Sequence, residues 1–165
     1  MESTASSKIL ALLIAIVGSS LILVGSARAD GGTKVIQSSK QLTWGPAPPN
    51  FAEGAQVAVL QGDPGKPGIY TVRFKMPSGY KVAPHWQPAD VAVTMISGSA
   101  GIGFGDKFDK SVGKLMNQGG FVIEPKEVHR YVWAVGPTII QVQGEGPLVT
   151  NYVNPADDPS AAAHR

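Results

Sequence analysis

The side chains best placed to do chemistry in this sequence are two histidines and a glutamine. His85 and Gln87 stand in Gly79-Tyr-Lys-Val-Ala-Pro-His85-Trp-Gln87-Pro-Ala-Asp-Val91, and His129 stands in Glu124-Pro-Lys-Glu-Val-His129-Arg-Tyr-Val-Trp133. An imidazole titrating near neutrality can hold a metal or move a proton. A carboxamide is a neutral and weaker ligand for a transition metal. The third histidine, His164, falls in a terminal stretch with the composition of a frayed tail. The chain has no cysteine, which removes disulfides, thiolate chemistry and a lipid anchor on cysteine. Gly101-Ile-Gly103-Phe-Gly105 is followed by no helical pattern, so it reads as hairpin or strand glycines and not as a phosphate loop. Gly105-Asp-Lys-Phe-Asp109 lacks the acidic spacing of a calcium loop and reads as a surface turn.

The elements that must position these groups are short strands. With 20 glycines and 13 prolines in 165 residues, long helices have no room, and strands joined by turns are favoured. Strands are expected at Gln56–Leu60, at Tyr70–Met76, at Val91–Ser97, at Phe121–Ile123, at Arg130–Val135 and at Thr138–Val142. Tyr70, Val72, Phe74 and Met76 alternate with polar residues, giving one apolar face. Short strands at this spacing imply an all-β sandwich or barrel in a single domain, and antiparallel jelly-roll barrels are one form that closes its own edges.

Side chains two apart on a strand share a face. His85, Gln87 and Val91 therefore share one parity if the Pro88–Asp90 turn keeps register, and Asp90 has the other. His129, Tyr131 and Trp133 share a face on the second segment. If both faces look inward, two imidazoles and a carboxamide meet inside a pocket walled by Val91, Val93, Met95, Tyr131 and Trp133.

The two segments resemble the conserved motifs of the cupin superfamily. Gly79, five residues, His85, one residue and Gln87, then Val91 and Gly98, follow the first motif, with Gln87 and Val91 where that family has a second His and a Glu. Gly119, Pro125 and His129 resemble the second motif, with His129 at the position of its metal-binding His and Trp133 where it often has Asn. The likeness spans nearly the whole expected mature chain. It is closest to small exported bacterial cupins, also called RmlC-like, through Trp44-Gly-Pro, Val57-Ala-Val-Leu-Gln-Gly-Asp-Pro64 and Tyr152-Val-Asn-Pro. The resemblance implies a cupin-type jelly-roll β-barrel (a double-stranded β-helix). It also implies a frequent tendency to form homodimers, and a metal held by three His and one Glu. With two of those four positions replaced, the expected site is degenerate: His85, Gln87 and His129 around Fe, Mn, Ni, Cu or Zn, or no metal at all.

Residues 1–29 read as a secretory signal peptide, from the apolar run after Lys8 and the small-x-small Ala27-Arg-Ala29. Residues 30–50 form a lead-in, 51–153 the barrel and 154–165 a flexible tail. Without the leader, basic and acidic side chains nearly balance and do not cluster, so neither nucleic acid nor, after cleavage, a membrane is an expected partner. The function expected is that of an exported barrel, periplasmic or secreted, binding an unknown small molecule. A metal-dependent dioxygenase or isomerase and a structural, partner-binding barrel are the alternatives.

Overall fold

A computed structural model of the protein describes residues 38–162. The expected leader at 1–29 and His164 lie outside these residues. The period-two stretch forms β3 (Gly68–Met76), with Tyr70, Val72, Phe74 and Met76 buried on one face and Arg73 and Lys75 part-exposed on the other. The remaining strands are β1 (Gly45–Pro46), β2 (Gln56–Gln61), β4 (Lys81–Trp86), β5 (Val91–Ser97), β6 (Ser99–Phe104), β7 (Lys114–Asn117), β8 (Phe121–Glu124), β9 (Arg130–Ala134), β10 (Thr138–Gly146) and β11 (Asn151–Tyr152). The list of strands expected from sequence lacks β1, β4, β6, β7 and β11: β1 and β11 are two residues long, β4 is interrupted by a bulge, and β6 is spaced by glycines that give no apolar alternation.

All pairings are antiparallel. One sheet runs β1-β2-β3-β10-β5-β8 and the other β11-β4-β9-β6-β7. The two sheets enclose the core as a jelly-roll β-barrel. Tyr70, Val72, Phe74, Val91, Val93 and Val142 form one part of that core, and Ala55, Met76, Tyr80, Val82 and Ala134 another. Residues read from sequence as a frayed tail include a 3₁₀ turn at Pro155–Asp157, capped by the Asn154 side chain, and a single helical turn, α1 (Pro159–Ala162). Among the described residues no helix is long and apolar enough to cross a membrane.

Two local features decide which side chains enter the barrel. The first is a bulge in β4: Val82 pairs with Val132, but the next pair is His85 with Arg130, so three steps on β4 match two on β9. An extra residue switches parity, which is how Val82 and His85, three apart, both line the interior. The second is the crossing from β6 to β7, Gly105–Gly113, which lies against the outside of β9. Phe108 there packs on Tyr131 and Trp133, with ring centroids 5.0 and 5.9 Å away.

Candidate functional site

An interior cavity opens between the sheets, with a volume of about 60 Å³ available to the centres of water molecules. A single water needs about 10–15 Å³ by this measure, so the space holds several waters or a small organic molecule. Its walls are apolar: Phe74, Met76, Val82, Val93, Val132 and Ile140 among them. Phe51 closes one side, its ring tilted 38° to that of Phe74 with centroids 5.1 Å apart. Tyr80 fixes the adjoining chain by donating to the Ala52 carbonyl at 2.9 Å. The polar part of the wall is His85, Gln87 and Glu124.

His85 is 5 % exposed, and its Nδ1 lies 2.8 Å from the Ala83 carbonyl in the bulge. A carbonyl only accepts, so Nδ1 carries the proton and Nε2 presents a bare lone pair. Burial pushes the imidazole down to about 4, against the Ala83 hydrogen bond and with help from the Arg130 charge, so it is neutral at pH 7. Among the described residues, Nε2 has no protein hydrogen bond.

Arg130 is wholly buried and organises the rest. Its Nε donates to Glu124 Oε2 at 2.6 Å, Nη2 donates to Gln87 Oε1 at 2.5 Å, and Nη1 donates to the Val128 carbonyl at 3.0 Å. The turn between β8 and β9 makes this geometry. Glu127 takes a positive φ of 60°, its N–H donates to the Gln87 carbonyl, and Val128 closes back on Pro125. Burial pushes the Glu124 carboxyl up, opposed by the charge and hydrogen bond of Arg130. A guanidinium is always charged, and Glu124 is the one carboxylate bonded to it, so the pair stays ionised at neutral pH. Tyr70, also buried, is raised to about 12 by burial and by the Glu124 charge, and remains a neutral phenol.

The structure brings together part of the set expected from sequence. His85, Gln87 and Val93 line the cavity. Val91 and Met95 are buried on the same face of β5, where Val91 belongs to the core cluster. His129, Tyr131 and Trp133 do share a face, but it is the outer one, and this corrects the inward placement expected for them. His129 Nδ1 contacts Asp106 Oδ1 at 2.6 Å at the surface, and Tyr131 donates to the Asp109 carbonyl at 2.6 Å under the Gly105–Gly113 crossing. The inward residues of β9 are Arg130, Val132 and Ala134. The physical reason is that β9 is covered on both sides, so aromatic content does not mark its inner face.

Sequence reasoning missed Glu124 and Arg130. The signal available was parity: Glu124 alternates with Ile123 and falls in step with Val122, and Arg130 falls in step with Val132. An acid and a base at inward positions on either side of one turn can only be buried as a pair. Glu124 also pairs directly with Val91 across β5 and β8. A carboxylate does enter the barrel, from the neighbouring strand, and it arrives bound to a guanidinium.

These residues do not fit a divalent transition metal. One imidazole faces the cavity, and the carboxylate beside it is engaged by Arg130, which leaves a single strong ligand for a metal. No cluster of three His, Cys, Asp or Glu able to hold a metal occurs among the described residues.

No family model matches the sequence, and no curated protein matches it. Solved structures do match the fold. The polyketide cyclase RemF from Streptomyces resistomycificus superposes with a TM-score of 0.63 at 14% identity, covering 81% of this chain and 94% of that one. A putative acetylacetone dioxygenase from Methylibium petroleiphilum gives 0.57 at 17% identity, covering 80% and 96%. An RmlC-like cupin from Shewanella frigidimarina gives 0.52 at 12% identity, covering 68% and 91%. The chain therefore has the cupin fold. At these identities the likeness defines architecture and leaves the chemistry to the site itself.

Proposed function

We propose that this protein is an exported cupin barrel that binds a small, largely apolar molecule in its interior without a metal. The observation that carries this reading is the cavity itself: apolar walls with three convergent polar side chains at one part of the lining. The ion pair beside it supports binding over metal chemistry, because Arg130 consumes the donors a metal would use. A metal-dependent dioxygenase or isomerase mechanism loses its support for the same reason, although structures of related fold are described as enzymes. Export rests on the leader-like residues 1–29, with the mature chain beginning at Asp30.

The test is native mass spectrometry of the mature protein taken from its exported location, together with a thermal-shift screen of small apolar compounds. An organic adduct, or a compound that raises the melting temperature in the native protein but not in a cavity-filling Val132→Phe variant, is the expected result. No adduct and no stabilising compound would remove the reading.

A further inference from the structure

The hydrogen-bonding capacity left over at the polar wall has a definite sign. Gln87 accepts from Arg130 through Oε1, which fixes the amide so that its NH₂ is the free end. Glu124 uses Oε2 for Arg130, and Oε1 has no donor among the described residues. His85 commits Nδ1–H to Ala83 and offers Nε2 as an acceptor. The side chains facing the cavity therefore present two acceptors and one donor group. No cation is left over, since the Arg130 guanidinium is already bonded to a carboxylate, a carboxamide and a carbonyl.

We propose that the cavity selects neutral molecules whose polar head donates hydrogen bonds, a primary carboxamide or a phenolic hydroxyl on a small apolar body, and rejects carboxylates. This rests on the reading of the barrel as a small-molecule binder and adds the sign of its selectivity. A primary amide complements the wall: its N–H groups meet His85 Nε2 and Glu124 Oε1, and its carbonyl meets the Gln87 NH₂. A carboxylate of the same shape would place its charge against Glu124 and a bare imidazole lone pair. It would find the one buried cation already neutralised. Such juxtapositions suppress the wrong ligand more than they strengthen the right one.

Benzamide and benzoate have nearly the same shape and differ in charge and donors, so calorimetric titration of the mature protein with each at neutral pH isolates this property. Benzamide is expected to bind at least about tenfold tighter than benzoate. In parallel, benzamide is expected to move the ¹⁵N resonance of His85 Nε2 more than that of Nδ1. In Glu124→Gln the guanidinium becomes the only charge at the cavity, and the preference is expected to turn toward benzoate. The wild-type comparison decides even if that variant does not fold. Benzoate binding as well as or better than benzamide in the native protein would overturn the selectivity and leave the binding role standing. Binding of neither probe, with no stabilising compound in the wider screen, would overturn both.

Discussion

Glu124 and Arg130 face each other across the turn from β8 to β9, Oε2 to Nε at 2.6 Å, with the guanidinium fully shielded from solvent. Arg130 also pairs with His85 in the β4–β9 ladder, and Glu124 pairs with Val91 in the β5–β8 ladder. The ion pair thus links the two sheets at the polar part of the cavity. A divalent metal and its ligands would supply a positive centre within negative and neutral donors, and here a side chain supplies that centre.

Removing one member of this pair leaves the other as an uncompensated buried charge. Arg130→Met and Glu124→Leu, each alone, are expected to cost about 3–5 kcal/mol. The double variant replaces both charges with apolar groups, and it is expected to recover most of that loss. Urea denaturation of the four proteins gives the coupling energy directly. A double variant as unstable as the sum of the singles would show that the pair does not act as a unit.

Acid should destabilise the fold through His85. Its folded value, near 4, lies below the unfolded value of 6.5, so the neutral ring contributes stability that is present above pH 6.5 and lost as pH falls toward 4. The size of the shift makes this contribution on the order of 3 kcal/mol. Glu124 works in the opposite direction: its raised folded value favours protonation in the native state, so its contribution grows as pH falls. The groups around the ring are Arg130, Gln87, Glu124 and Tyr152, and of these Arg130 and Glu124 carry charge as a bonded pair. Denaturation midpoints from pH 7 to pH 4 in the native protein and in His85→Gln should therefore separate the two effects. The variant is expected to show a flatter acid limb, and identical slopes would contradict a buried neutral imidazole.

The outer face of β9 has its own constraint. Gly101 pairs with Trp133 and Gly103 with Tyr131, and an added Cβ at either glycine would overlap the ring opposite. Gly101→Ala and Gly103→Ala are each expected to cost about 1–3 kcal/mol, since close-packed rings have nowhere to go. Near-UV circular dichroism should change with them, because the Phe108–Tyr131–Trp133 cluster would be displaced. Gly136→Ala, with open space at its Cβ, is the control and should stay within about 0.5 kcal/mol of the native protein.

Much of the barrel was legible because its longer strands carry a period. Val91–Ser97 matches β5 throughout, and the alternation at Tyr70–Met76 marks the inner face of β3. The placement of His85 and Gln87 on one face was also legible. The inner face of β9 was not, since Tyr131 and Trp133 are more apolar than Arg130 yet point outward. What buries them is the Gly105–Gly113 crossing, which reads locally as a polar turn. Hydrophobic alternation identifies an inner face only when the other face meets water. The bulge in β4 has a similar lesson: no residue in Lys81–Trp86 announces the extra step, and only the pairing with β9 reveals it.

The same geometry predicts what would be needed to build a metal site into this barrel. Gln87→His with Val91→Glu adds an imidazole and a carboxylate, but both would face the Arg130 guanidinium. Arg130 already holds Glu124, and it would compete with a divalent ion for the added carboxylate as well. That double variant is expected to stay metal-poor after dialysis against zinc, as is the native protein. Adding Arg130→His removes the cation and supplies a third imidazole from the inward position on β9, and His85 needs no change. The triple variant is expected to retain about one zinc per chain by plasma mass spectrometry, in keeping with sites built from three or four good ligands. Substituting His129→Ala in that background should leave the zinc in place, because His129 lies against Asp106 on the outside of the barrel wall. Stoichiometric zinc in the native protein, lost in His129→Ala, would instead show that β9 can turn its other face inward.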